Sequence, residues 1–242
     1  MSGAAGNITG VWVYLSETPL FWLTATLVAY LIGDAFSARC GRHPLANAVV
    51  VAVVLLVGVL LVTGTPYSTY FEGAQFVHFL LGPATVALAV PLYLQGARLK
   101  RAILPVLAGL AVGSAVAVTS ALAIAWALGV DQTILASLAP KSTTAPVAIG
   151  IASSLGGSPT LAAVLVILTG ITGALVATPL LNALRIRDWR ARGFSLGVAA
   201  HGIGTARALQ VNPTAGAFAG IGMGLNAILT ALIAPAILRL FL

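Results

Sequence analysis

The sequence predicts an all-α polytopic membrane protein with seven to eight transmembrane helices, several of them interrupted by glycine or proline. Three observations predict it. The 242 residues are 60% hydrophobic and only 7% charged, against the roughly 25% charge that a soluble surface carries. Apolar stretches of about 20 residues, the length that crosses a hydrocarbon core, recur along the whole chain. The basic residues sit between those stretches, the pattern of cytoplasmic membrane loops. The chain is therefore read as one transmembrane domain over 1–242, with the lipid bilayer as its solvent.

In order, the spans are expected at 19–37, 45–63, 74–95 (broken by Gly82-Pro83 and Pro91), 102–128, 132–155, 160–184, 193–209 and 214–242. Arg39 and Arg42 follow the first span, Arg98, Lys100 and Arg101 the third, and Arg185, Arg187, Arg190 and Arg192 the sixth. The loops after the second and fourth carry Glu72 and Asp131 instead. The positive-inside rule places the N-terminus outside and the first two basic loops in the cytoplasm. Counting every stretch as a span would then put the third basic loop outside. A Lys141 segment that re-enters on one side, turning at Pro140 and Gly156-Gly157, removes the conflict, and both topologies stay open. The N-terminal MSGAAGNITGVWVYL lacks a basic region and a cleavage pattern, so the first span is expected to act as the insertion signal.

The formal charge of +7 does not point to nucleic acid, because basic patches with interleaved aromatics are missing. One cysteine, Cys40, excludes an intramolecular disulfide and a cysteine metal cluster. No metal or other cofactor is expected. Enzyme motifs are missing too: there is no H-E-x-x-H, G-x-S-x-G or P-loop. Ser142 beside Lys141 has the residue types of a serine–lysine dyad. Adjacent helical residues point about 100° apart, so the pair is not expected to act as one.

Two cations stand at membrane depth. Lys141 lies in P-K-S-T-T-A-P and Arg207 in H-G-I-G-T-A-R, both in otherwise apolar surroundings. A charge at a helix centre costs roughly 2.5–3.5 kcal/mol on insertion scales, so such residues usually face a cavity and mark a site. With five acids in the chain, the expected counter-charge is a small carboxylate substrate. Around Lys141, the hydroxyls of Ser142, Thr143 and Thr144 and a helix N-terminus near Ala145-Pro146 supply further donors. In the second string, Gly202 and Gly204 permit close approach, His201 can carry a proton, and Thr205 shares its helical face. Arg207 lies about 160° round from Thr205 on a regular helix, so unwinding through the glycines would be needed to gather all three. Gly82, Pro83 and Thr85 form a third break with a hydroxyl at its mouth.

Asn226 and Thr230, one turn apart, are expected to hold helices together. Gly216, Gly220 and Gly224 offer a close-packing face, through which two copies could pair as a homodimer. A loose internal repetition relates TTAPVAIGIASSLGGSPTLAAV to GIGTARALQVNPTAGAFAG, each followed by an apolar span with a proline-containing tail. Interrupted segments in repeated positions are the pattern of transporter binding sites.

From about Leu31 to Leu238 the chain resembles the LrgB/CidB family of bacterial membrane proteins. The resemblance rests on HFLLGPATVALAVPLY, LAPKSTTAPVAIGIASSLGG, RIRDWRARGFSLGVAAHGIGTARAL and GAFAGIGMGLNAILTAL occurring in that order. It implies an inner-membrane protein with one of two roles. The first is a carrier of pyruvate, glycolate or glycerate; the second is antiholin-like control of murein hydrolases and lysis. It also implies a small LrgA/CidA-type membrane partner and a fold distantly like cation/proton antiporters. Ala145, Ser153 and the QVNPT string depart from the family pattern by losing a hydroxyl and acidic residues.

Overall fold

The computed structural model describes residues 18–42, 46–80 and 102–242, with Pro83, Val86 and Tyr93. The chain falls into two compact units, Met1–Ala87 and Leu88–Leu242.

In the first unit, α1 (Pro19–Arg39) packs against both α2 (Ala48–Thr63) and α3 (Tyr67–Phe79). Proline opens α1, where its missing N–H costs nothing. Asn47 caps α2 by accepting from the Val49 amide at 2.9 Å, and Gly64 ends it in the left-handed conformation. The core is aromatic: buried Trp22 stands edge-on to Tyr70 with ring centres 5.7 Å apart. Gly73 allows the contact, since a Cβ there would sit 2.8 Å from both Trp22 Cβ and the Leu23 amide nitrogen. Asp34 is ion-paired with Arg42 at the C-terminal end of α1.

The second unit holds α4 (Ile103–Ala127), α5 (Gln132–Leu138), α6 (Ala145–Ser154), α7 (Pro159–Ala183), α8 (Trp189–Val211) and α9 (Pro213–Leu238). Helices α4 and α9 run parallel. Val106 clusters with Phe218 and Ile221 near their starts, and Val118, Leu122 and Ala125 with Ala234 and Leu238 near their ends.

Helices α5 and α6 form a hairpin, because the chain returns to its own starting point. The Ser158 amide, after α6, donates to Ser137 Oγ in α5 at 2.7 Å. Gly157 lies so close that a Cβ would stand 2.8 Å from the Ser137 nitrogen. Leu135, Leu138, Val147, Ile151 and Leu155 from the two legs share a cluster with the second half of α4 and α9. The hairpin tip is 139–144, around Lys141.

The segment expected as a single span at 193–209 is also a hairpin. Within α8, Ala200 (φ −128°, ψ 16°) and His201 (φ 40°, ψ −132°) leave the helical region. A Cβ on Gly204 would lie 2.8 Å from the Leu196 carbonyl oxygen, whereas eight residues of straight helix span about 12 Å. The first leg runs beside the first half of α4 and α9: Phe194 touches the Cβ position of Gly109, and Val198 that of Gly113. The two hairpins thus approach from opposite ends of α4 and α9.

Four helices among the described residues, α1, α4, α7 and α9, are long and apolar enough to cross a membrane. The seven to eight spanning helices expected are not reached among these residues, since two of the eight stretches double back. The third stretch lies mostly outside the described residues. The internal repetition corresponds to a repeated order of elements, a hairpin followed by a long helix. Ser158 and Asn212 cap α7 and α9, proline follows each cap, and Pro179 and Pro235 lie near their ends. Of the glycine face expected on α9, Gly216 packs closely, against Leu209 of the same chain, while Gly224 has nothing near its Cβ position.

Candidate functional site

The hairpin tips meet at Asn226, halfway along α9. Its Nδ2 donates to the Ser142 carbonyl of the first tip at 2.9 Å and to the Val198 carbonyl, just before the second tip, at 3.1 Å. Its Oδ1 accepts from Ser114 of α4 at 2.5 Å and from Thr230 at 3.3 Å. One amide therefore uses both donors and both lone pairs to join four segments. Val198 needs such a donor because the helix breaks two residues later, where the i+4 amide would have served it.

Around this junction, Ser142 and Thr143 are buried and Lys141 is half-buried. Lys141 Nζ donates to Ser142 Oγ at 3.2 Å. Among the described residues the ion pairs are Arg42–Asp34 and Arg190–Asp188, so no carboxylate meets Lys141. Thr143 Oγ1 donates to the Pro140 carbonyl at 2.9 Å, closing the tip. Thr144 stands at the N-cap of α6, with its side chain making no cap bond.

In the second tip, buried His201 uses Nε2 on the Val166 carbonyl of α7 at 2.9 Å. A carbonyl only accepts, so Nε2 carries the proton. His201 holds a positive φ that a side chain adopts at a cost of about 1–3 kcal/mol. Small residues on α7 make room: a Cβ on Gly170 would lie 2.7 Å from His201 Cε1, and one on Gly173 would collide with Ala200. Thr205 is buried and bonds back to the His201 carbonyl at 2.8 Å. Gly204 is tightly enclosed; Gly202 has only Met223 Sδ nearby, at 3.9 Å.

Arg207 is placed elsewhere. The reversal at Ala200-His201 carries it down the second leg to the base of the hairpin, into a pocket with Trp189, Arg192 and α7. The structure thus brings together Lys141, Ser142, Thr143, Thr144, His201 and Thr205, adds Ser114 and Asn226, and leaves Arg207 apart. Gly82 and Thr85 lie outside the described residues, and Pro83 is exposed. No group of three or more metal-ligating side chains occurs among the described residues.

The base of the second hairpin is set by Asp188. Its Oδ1 caps α8 through the Arg190 amide at 2.8 Å, and its Oδ2 pairs with the Arg190 guanidinium at 2.5 Å. The guanidinium first, then the backbone amides, hold this carboxyl below its ordinary range. A lowered carboxyl contributes stability above its unfolded value, and the contribution is lost as pH falls through the lowered one. The thermal midpoint of the wild type should therefore fall below about pH 4 more steeply than that of Asp188→Asn, which keeps the cap. The effect is small, since the pair is exposed. Parallel curves for the two proteins would remove Asp188 from the acid response.

The family model that matches the chain is the LrgB-like family, over residues 26–240. The chain belongs to the LrgB-like family. Among its relatives, YxaC and YwbG of Bacillus subtilis (strain 168), both uncharacterised, are each 37% identical. Their alignments cover 89% of this chain and 94% and 96% of theirs. The holin-like protein CidB of Staphylococcus epidermidis is 30% identical over 89% of this chain and 94% of its own. No solved structure matches the chain. The interrupted strings that carry the resemblance are, in the second unit, the two hairpin tips and the helix that joins them.

Proposed function

We propose that this LrgB-like protein is a secondary carrier of small monocarboxylates or 2-hydroxycarboxylates, of the pyruvate, glycolate and glycerate class. The observation that supports it is the meeting of two oppositely directed hairpins halfway along α4 and α9, with Lys141 at the junction and no carboxylate beside it among the described residues. Broken helices that meet at mid-depth and expose backbone and hydroxyl groups are how carriers build ion and anion sites. Lys141 neutralises the carboxylate, the Ser142 and Thr144 hydroxyls hydrogen-bond its oxygens, and His201 is the group available for proton coupling. An LrgA/CidA-type small membrane protein is the proposed partner.

The proposed placement is in the bacterial inner membrane, and the hairpins support one orientation there. With the first hairpin returning to the side it entered, α4 and α7 run in opposite directions. The basic residues before α4 and after α7 then share the cytoplasmic side, in keeping with the positive-inside rule. If the stretch at 74–95 crosses as the sequence predicts, the N-terminus is outside.

The staphylococcal relatives are holin-like proteins by name, which favours a second reading for this chain, antiholin-like control of murein hydrolases and lysis. The two readings part on ligand binding. A carrier is stabilised by its substrate, by about 2.7 kcal/mol at a hundredfold excess over Kd. Uptake of labelled pyruvate, glycolate and glycerate into proteoliposomes, with and without the partner, is expected to saturate for at least one acid. Lys141→Met should abolish it while leaving an inserted, folded protein. Undiminished uptake by that variant would remove the assigned site; no uptake and no stabilisation by any acid would favour the holin-like reading.

A further inference from the structure

Building on the carrier reading, on which it rests, we propose that Lys141 rather than His201 is the coupling group. Its Nζ is a neutral amine in the empty site and takes up one proton with each carboxylate, so that acid and proton cross together. The surroundings of the first tip leave few groups for this role. Its legs, α5 and α6, and the helices packed against them, α4, α7 and α9, contain no titratable side chain. Asp131 caps α5 at the end away from the tip. Of the titratable groups on α8, Arg190, Arg192 and Arg207 lie at the base of the second hairpin. That leaves His201 facing Lys141, near enough for their charges to act on one another. His201 is already committed: its Nε2 hydrogen is held by the Val166 carbonyl and its ring is enclosed against Gly170. A proton on its other nitrogen would set a second cation beside Lys141 with no acid among the described residues to balance it.

An ammonium in such surroundings is unfavourable, and only loss of its proton or the arrival of an anion relieves it. The neighbour of Lys141 suits both states. Nζ meets Ser142 Oγ at 3.2 Å, and that hydroxyl is not otherwise engaged, since Asn226 takes the Ser142 carbonyl. A hydroxyl both donates and accepts. Ser142 therefore donates to the amine of the empty site and accepts from the ammonium of the loaded one. A protein carboxylate in its place would hold the proton permanently. On one face of the membrane a proton from water converts the amine to an ammonium, which pairs with the entering carboxylate. On the other face the carboxylate leaves, the proton returns to water, and the amine returns to the Ser142 hydroxyl. Neither the loaded nor the empty site then carries an unbalanced charge through the bilayer.

The test is calorimetry of pyruvate, glycolate and glycerate binding to the full chain in uncharged detergent. Repeating it in buffers of different ionisation enthalpy counts the protons taken up per acid bound, between about pH 6 and pH 10. The acids are ionised throughout this range, so any proton enters on the protein. Over part of the range affinity should fall about tenfold per pH unit, with the proton count approaching one. Lys141→Arg, which keeps its proton, should bind with neither pH dependence nor proton uptake. In proteoliposomes it should exchange labelled for unlabelled acid but not accumulate acid under a pH gradient. His201→Gln has no titratable group at the second tip, and each acid it binds should still bring one proton. If either variant fails to fold or to bind, the other and the wild type decide. Acid binding without protons in the wild type, protons lost in His201→Gln, or protons kept in Lys141→Arg would overturn the assignment and leave the carrier reading standing. No binding of any of the three acids would overturn both.

Discussion

Asn226→Ala lowers the stability of the protein by about 2–4 kcal/mol, the largest effect expected of any polar substitution in the second unit. The side chain makes four hydrogen bonds to three other segments and to Thr230. Its removal strands the Ser114 hydroxyl and the carbonyls of Ser142 and Val198. The Ser142 carbonyl sits in a non-helical tip and the Val198 carbonyl just before a break, so a regular helical donor replaces neither. Buried groups left unsatisfied cost about 1–3 kcal/mol each. Single bonds between membrane helices average only about 0.6 kcal/mol, because the chain unfolded in lipid also finds partners. The estimate lies between these limits. Asn226→Asp should also be damaging, since its second oxygen faces two carbonyls with no hydrogen as a carboxylate and only one as the neutral acid. Unfolding titrations in mixed micelles measure both variants; a loss below about 0.5 kcal/mol for the alanine would show that the amide does not tie the tips.

Gly197→Leu is expected to prevent assembly of the second unit altogether. The first leg of α8 and α9 approach so closely at Gly193 and Gly197 that a Cβ at either would collide with the Ala215 or Ala219 carbonyl. From the other side, a Cβ on Gly222 would lie 2.6 Å from the Phe194 carbonyl oxygen. All of these obstacles are backbone, which cannot rotate aside as a side chain can. Even Gly197→Ala should reduce the yield of folded protein sharply. Gly150, in α6 with nothing near its Cβ position, is the contrast: Gly150→Ala should stabilise by about 0.5–1 kcal/mol through helix propensity. Size-exclusion profiles and thermal midpoints of the three variants measure this. A monodisperse Gly197→Leu with the wild-type midpoint would mean that the legs do not lie against α9 as described.

What the residues announced in advance depended on where the breaks carry their own marks. The tip at Lys141 was legible because Pro140 and Pro146 bracket it, and proline cannot continue a helical ladder. The tip at His201 was only half legible. Glycines follow the reversal at Gly202 and Gly204, but the turn itself falls on Ala200 and His201, neither of which favours leaving a helix. Its position depends on α7, where Gly170 and Gly173 open the space and the Val166 carbonyl holds the ring, a tertiary cause with no local trace. Arg207 followed from that. On a straight or merely unwound helix it could approach Lys141, and only a full reversal takes it to Arg192 instead. Asn226, one turn from Thr230, is legible in the sequence as a residue that holds helices together, and it does so. That it holds four segments rather than two depends on two carbonyls whose helical partners are missing.

Because the first leg of α8 lies backbone to backbone along α9, the two cannot slide past one another without separating. They form a single lever. Any motion that opens the junction at Asn226 must swing this lever whole, or else leave it still and move the first hairpin away from it. The second leg is carried with it, since Leu209 closes on Gly216 of α9 and Ala208 packs with Ala215, Ala219 and Leu196. A transport step, or a shift in membrane permeability, therefore has two stiff parts to work with, the second hairpin with α9 and the first hairpin, and Arg207 rides with the former.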